Sequence, residues 1–456
     1  MSEPSRFVVG IDLGTTHCAV AYSPIDRADV QLFEIPQLVA AGETATRRLL
    51  PSFLYLPADG EFTDAQRLLP WGPEPEIVGE WAREQGASTP VRLVASAKSW
   101  ICHGGVDRRA PILPWEAPEA IPKVSPFTAS VRYLAHLRAA WDAAHPNAPL
   151  AEQEVVVTVP ASFDGVANEL TVEAAAAAGL PRVRLLEEPQ AAFYDFIGAH
   201  EADLPTLLAG ARLVLVVDVG GGTTDLTLVR VRAGKEGAPE LERVAVGGHL
   251  MLGGDNMDAA LAHHLQQKAG IGGRLDPTEW ARLVQAARRA KETLLADDAP
   301  AEIKVSIQRR GSRLIGGTRT VSLTADEVST LLLDGFVPVT GRDEVAERRR
   351  AGLTTLGLPY VTDPAIPRHV NAFLRRHAEA ARAAGAEVID GLPRPDLLLL
   401  NGGVFTPPAL IERLQAAMAH WYGAPVTLLA HTALDVAVAR GAARFALARH
   451  GLSRAI

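Results

Sequence analysis

Two stretches of the chain bring acids, glycines and threonines together in the same order. They are FVVGIDLGTTHCAVAYS, residues 7 to 23, and VLVVDVGGGTTDLTLV, residues 214 to 229. In each, an apolar run ends at an acid, Asp12 or Asp218, and a glycine turn and a Thr-Thr pair follow. Gly14, Gly220, Gly221 and Gly222 remove Cβ atoms from the turns, so backbone N–H groups can converge on a phosphate. Thr15, Thr16, Thr223 and Thr224 add hydroxyl and N–H donors. A carboxylate at the end of an apolar strand is costly unless paired or solvated. Two such carboxylates facing one cleft would attract a divalent cation. Mg²⁺ keeps most of its waters and takes few direct protein ligands, so Asp12 and Asp218 are candidates to hold hydrated Mg²⁺. Either loop alone also reads as a structural hairpin whose acid caps its own turn. The chain contains no GxxxxGK[ST], and the loops lack the GxGxxG spacing.

Elements on both sides must hold these loops still. EVVVTVPASF (154 to 163) reads as a buried strand and VRLLEE (183 to 188) as another strand, with a helix over NELTVEAAAAAG between them. EPQAAFYDFIG opens another helix. In the second half DLLLLNGGVF (396 to 405) is a buried strand ending in two glycines, followed by the helix PPALIERLQAAMAHW. A short strand, APVTLLA, and a closing helix, ALDVAVARGAARFALARHG, complete it. Strands alternating with helices predict an α/β fold with a largely parallel sheet in each half, each hairpin adding an antiparallel strand. Two lobes of related build follow from the repeated hairpin. The boundaries expected are residues 1–209 and 210–456. Residues 55–125 form an outer subdomain of the first lobe and 248–325 one of the second. Residues 301 to 324 read as a meander, and 335–395 as a peripheral insertion.

The bulk numbers narrow the partners. With 456 residues, 48% hydrophobic and 21% charged, this is an ordinary globular composition. The net charge of −8 argues against nucleic acid or an anionic membrane as partner. AERRRAG, 346 to 352, is the one dense basic stretch and reads as a solvated helical face. Cys18 and Cys102 are the only cysteines, too few for a disulfide framework, and the N-terminus lacks the pattern of a signal peptide. A cytoplasmic location is expected.

FVVGIDLGTTHCAV, VVVTVPASF, LLEEPQAAF, VLVVDVGGGTTDLTLV, MLGGDNMDAAL, LLLLNGG and AVARGAA occur in this order. Together they resemble the ATPase domain of the seventy-kilodalton heat-shock chaperone family, within the actin and sugar-kinase superfamily. The resemblance runs from about residue 7 to 449. It implies a two-lobed actin-like ATPase fold with a duplicated ribonuclease H-like core and smaller outer subdomains, ATP or ADP with Mg²⁺ in the cleft, and slow hydrolysis. It also implies J-domain or exchange-factor co-chaperones, or another chaperone-like subunit, as partners. By the resemblance Lys98 is the catalytic lysine that orients the attacking water, and Glu188 helps place metal and water. Thr223 lies beside the terminal phosphate and Asp225 near a monovalent cation such as K⁺. Lys291, Gly402, Gly403 and Asp435 contact the nucleoside.

The departures fall on the base side. Arg288 stands where the family has an acid and Glu292 where it has a base; four apart on a helix, they could form a swapped ion pair. Val404, Phe405 and Thr406 replace the Ser-Thr-Arg whose arginine packs on adenine. His17 replaces a tyrosine or asparagine. AVARGAARFALARHGLSRAI finishes the last ATPase helix, so the expectation is an ATPase with no peptide-binding half in this chain. Two other functions stay open: a nucleotide-gated interaction module or co-chaperone with little hydrolysis, and, with no motif for a substrate base, a small-molecule kinase.

Overall fold

The computed structural model describes residues 5–233, 239–248, 250–273, 275–296, 298–307, 318–346, 354–355, 358–359, 361–430 and 433–452. The basic stretch 346–352 lies outside these residues from position 347 onward.

Two mixed sheets carry the two hairpins. Strand Phe7–Leu13 pairs antiparallel with His17–Pro24 and parallel with Glu154–Val159, which pairs parallel with Val183–Glu187. Strand Leu213–Val219 pairs antiparallel with Thr224–Ala233 and parallel with Leu397–Asn401, which pairs parallel with Thr427–Leu429. The order of pairings is the same, so the duplication visible in the hairpins extends to whole sheets. Leu213–Val219 is buried at every position, as expected for a strand covered on both faces.

Helices supply that cover. On one face of the first sheet Trp141, Leu134 and Leu137 of helix Pro126–Ala144 pack on Val9, Ile11 and Val20. On the other lies helix Ala437–Arg449, whose Ala439 and Ala443 pack on Ala19 and Ala21. The approach is close: a Cβ on Gly10 would sit 2.3 Å from the Ala439 carbonyl oxygen. The second sheet packs Leu215, Val217 and Val219 against Met257, Leu261, Leu414 and Met418. Its opposite face, Val214 and Val216, receives Phe193, Phe196 and Ile197 of helix Glu188–Ala199. The chain thus exchanges cover between its halves: its last long helix lies on the first sheet, and the helix that leaves the first sheet lies on the second. The two helices cross at Gly441, where a Cβ would sit 1.7 Å from the Ala191 carbonyl oxygen. Asp195, fully buried, takes ion pairs from Arg440 and Arg444 at the same crossing.

Two expectations change. Residues 335–395 are not peripheral throughout: helix Ile366–Arg376 buries Ile366, Val370, Phe373 and Leu374 in the core of the second sheet. Those positions follow the helical i, i+4, i+7, i+8 spacing, which a reading by proline content overlooked. The meander at 301–324 is, among the described residues, one antiparallel pair of Glu302–Ile307 with Arg319–Thr324. Within 55–125, Leu54–Tyr55 pairs with Ile77–Val78 and Leu93–Val94 in a small sheet packed on Trp81. Among the described residues no helix is long and apolar enough to cross a membrane.

Candidate nucleotide site

One cavity of about 460 Å³ opens between the two hairpins. Asp12, Gly14, Thr15, Thr16, Lys98, Glu188, Asp218, Gly220, Gly221 and Thr223 line one end. Lys291, Glu292, Gly402, Gly403 and Asp435 line it too, so most candidate residues converge from segments far apart in sequence.

Local structure explains the convergence. Gly14 allows a turn so tight that a Cβ would meet the His17 carbonyl oxygen at 2.2 Å. Ser52 pins that turn, its Oγ donating to the Gly14 carbonyl at 2.7 Å. The second turn is pinned by helix Gly254–Lys268: the N–H groups of Gly254 and Asp255 donate to the carbonyls of Gly220 and Gly221 at 3.1 and 2.7 Å. The two loops touch. A Cβ on Gly221 would lie 2.0 Å from Thr16 Oγ1, and one on Gly222 would lie 2.1 Å from Ser99 Oγ.

Each aspartate is braced by its register partner on the neighbouring parallel strand. Asp12 lies opposite Thr158, whose Oγ1 donates to its Oδ1 at 3.2 Å. Asp218 lies opposite Asn401, whose Nδ2 donates to its Oδ2 at 2.7 Å. Lys98, on the short helix Ala97–Cys102, pairs with Glu188 at the start of helix Glu188–Ala199. Ser96, just before Lys98, holds a left-handed backbone at φ 53° and donates to Asp255 Oδ2 at 2.6 Å. A non-glycine residue in that region is held there by its surroundings.

Burial dominates the electrostatics. It pushes Asp12 up to about 7; Lys98 opposes the shift and Glu188 adds to it. Asp218 is raised well above its ordinary value by burial, with Glu188, Asp225 and Asp12 adding repulsion and the Asn401 bond opposing. Burial also raises Glu188 and Asp225. Burial works against the Lys98 charge, but Glu188 and Asp12 outweigh it and raise its affinity for the proton. Four carboxylates therefore share one ammonium, a set that asks for further positive charge. Among the described residues no group of three His, Cys, Asp or Glu is close enough to hold a metal ion.

Three candidates sit elsewhere. Arg288 does not line the cavity. It lies buried behind it, bonded to Asp258 at 2.6 Å and Asp255 at 2.5 Å, with its guanidinium 5.5 Å from the Phe53 ring centroid. The partners are three apart on helix Gly254–Lys268, as Arg288 and Lys291 are on helix Pro277–Leu294, so the two helices mesh by charge; Lys291 takes Asp258 Oδ1 at 2.6 Å. The expected Arg288–Glu292 pair gives way to this cluster, and Glu292 is exposed on the cavity wall. Gly222 faces Thr15 and Ser99 instead of the cavity. Asp225 is buried behind Thr223 and accepts from the Ser162 N–H at 3.3 Å, so the geometry adds nothing to a K⁺ site there.

Apolar side chains line the same cavity beside the charged Lys291, Glu292 and Asp435. Leu295, Ala296, Val404, Pro407, Leu410, Leu434 and Val438 line it together with Thr406, while Phe405 is buried in the core. Thr158, Asn401, Asp255 and Asp258 escaped the sequence reading. Asn401 ends an apolar strand as Asp12 and Asp218 end theirs, but its pairing with Asp218 shows only in the fold.

Comparison with known proteins agrees with this geometry. The family model described as Hsp70 protein matches residues 68–315. The chaperone protein HscA homolog of Burkholderia pseudomallei (strain 668) is 30% identical over 443 residues, covering 90% of this chain and 64% of the relative. Chaperone protein HscA of Pectobacterium carotovorum subsp. carotovorum is 31% identical over 366 residues, covering 76% and 50%. The HscA homolog of Pseudoalteromonas atlantica is 30% identical over 327 residues, covering 67% and 46%. The chain spans about half the length of the curated relatives it matches. Two sheets of one topology, an acid-and-glycine hairpin on each and a family match over more than half the sequence give one conclusion: the chain belongs to the Hsp70 family and has its actin-like ATPase fold.

Proposed function

We propose that this chain binds a magnesium–nucleoside triphosphate between its two hairpins and slowly hydrolyses it, as a chaperone-like ATPase whose output is closure of two lobes. The observation that carries the proposal is the single cavity shared by both glycine loops, the two braced aspartates and the Lys98–Glu188 pair. Gly14, Thr15, Thr16, Gly220, Gly221 and Thr223 would hold phosphate oxygens through N–H and hydroxyl groups. Asp12 and Asp218 would hold hydrated Mg²⁺, which would supply positive charge against the charge that develops on the phosphates. Lys98 and Glu188 would fix the attacking water. Catalysis of this kind is positioning and charge stabilisation.

Closure has a physical basis in the contacts between segments of the two halves. Arg282 donates to the Ser88 carbonyl at 2.8 Å, and Ser96 reaches Asp255. A ligand gripped by both hairpins would favour the state in which these contacts form. We take the lobes to be residues 1–209 and 210–456. Co-chaperones of the J-domain or exchange-factor type, or a second chaperone-like subunit, are the partners this reading implies. A cytoplasmic setting is part of it, in keeping with the free thiols of Cys18 and Cys102.

Val404 and Thr406, which line the cavity where the resembled family has a serine and an arginine, favour a second reading, a nucleotide-gated interaction module with little hydrolysis. Phosphate release from ATP, measured for the wild type and for Lys98→Ala, separates the two. Turnover that needs Lys98 supports the ATPase. Nucleotide-dependent partner capture that survives Lys98→Ala, without turnover, supports the module.

A further inference from the structure

Asp12 and Asp218 occupy equivalent places in equivalent sheets, yet their braces differ. Thr158 offers Asp12 a single hydroxyl. Asn401 offers Asp218 an amide, which has two ends. Its Nδ2 is used on Asp218 Oδ2. Its Oδ1 is buried and, among the described residues, has no hydrogen-bond partner. Asn401 is 1% exposed and lines the cavity beside Asp218, Gly402 and Gly403.

A buried carbonyl oxygen left unpaired is costly to the fold. Valine would fill the strand position, and threonine would brace the aspartate as Thr158 does. The unused acceptor is what asparagine adds. Only a donor can satisfy it, and among the described residues none reaches it. The donor therefore comes with the ligand. Next to Asp218 the donor expected is a water on the divalent ion, because an ion held through its waters presents O–H groups to every acceptor around it. Gly402 keeps the geometry open: at φ 90°, a Cβ there would lie 2.7 Å from Asp218 Oδ1.

We infer that Asn401 is a positioning residue for the nucleotide's divalent ion, its Nδ2 fixing the Asp218 carboxylate and its Oδ1 accepting from a water on that ion. The inference rests on the nucleotide reading above and assigns a residue to it.

MgCl₂ titrated into the protein–ADP complex, followed by calorimetry, tests this without turnover. Asn401→Val removes both ends of the amide, and Asn401→Thr keeps a donor for Asp218 but loses the carbonyl. The Mg²⁺ concentration giving half of the affinity gain is expected to rise roughly tenfold or more in Asn401→Val. In Asn401→Thr the rise is smaller, with ADP affinity in EDTA within about twofold of wild type in both, since other groups set metal-free binding. An unchanged Mg²⁺ midpoint in folded variants overturns the inference. So does a loss of ADP affinity that is equal with and without Mg²⁺, which marks a merely structural role. A wild type that binds ADP with no Mg²⁺ dependence overturns the nucleotide–magnesium reading as well, so the two failures are distinguishable.

Discussion

Asn401 Nδ2 donates to Asp218 Oδ2 at 2.7 Å across a parallel strand pair, in the place where Thr158 serves Asp12 in the other sheet. Both aspartates are therefore fixed in place, Asp218 buried and Asp12 half-buried. Asp12→Asn and Asp218→Asn keep the shape and remove the charge. Each is expected to lower ATP turnover by about 100-fold or more, the scale of losing one preorganised electrostatic group. Phosphate release checks it, with circular dichroism to confirm folding. Turnover no lower than wild type in either variant would remove the proposed ion site.

Lys98 and Glu188 form a buried ion pair on the cavity wall. Lys98→Ala removes the group placed to orient water and leaves the phosphate loops intact. Turnover is expected to fall about 100-fold while calorimetric affinity for ATP stays within about fivefold, because the lost interaction matters more in the transition state than in the ground state. A parallel collapse of binding would place Lys98 among the groups that simply hold nucleotide.

Arg288 gives a stability prediction instead of a binding one. Its guanidinium is shared by Asp255 and Asp258. Arg288→Met keeps the length and leaves two buried carboxylates with less positive charge, since Lys291 still reaches Asp258. A loss of about 3–5 kcal/mol is expected, the usual result of breaking a buried pair from one side. Urea unfolding measures it. A strong loss of ATP affinity with unchanged stability would return Arg288 to the binding site.

His136 supplies a pH dependence far from the cavity. It is buried, its Nε2 lies 2.9 Å from the Pro36 carbonyl, and its ring stands edge-on to Trp71. Burial lowers its pKa from 6.5 to about 4. The folded state therefore resists the proton that the unfolded state accepts. The stability this represents is present above pH 6.5 and is lost as pH falls toward 4. It amounts to about 3 kcal/mol. His136→Gln is expected to make the fall in melting temperature over that window shallower. His17, also lowered to about 4, keeps some slope in place. An identical slope in the variant would rule His136 out as a contributor.

The two hairpins that meet at the cavity were legible in sequence because their determinants are local: an acid at a strand end, glycines in the turn and paired threonines, twice. Lys98 and Glu188 came from the family resemblance, since nothing in their own surroundings sets them apart before folding. The base side was harder. Arg288 and Glu292 are four apart on one helix, and that spacing suggests a pair. The stronger partners, Asp255 and Asp258, sit on another helix 33 and 30 residues away, and only tertiary packing shows them. Asn401 was hidden by its neighbours. In LLLLNGG the glycines carry the pattern, and the asparagine's role depends on a register with Asp218 that no local rule provides. Helix Ile366–Arg376 had its apolar periodicity in plain view, but nearby prolines masked it.

The central claim is that the chain reads magnesium and phosphates more strictly than the base. Calorimetry with ATP, GTP and ADP, each with and without Mg²⁺, tests it most directly. Triphosphate affinity is expected to fall at least about tenfold without Mg²⁺, because the positive charge that offsets the phosphates beside Asp12 and Asp218 is then missing. ATP and GTP should differ by less than about tenfold, because apolar walls discriminate bases weakly. Binding indifferent to Mg²⁺, or absent for both triphosphates, would contradict the account.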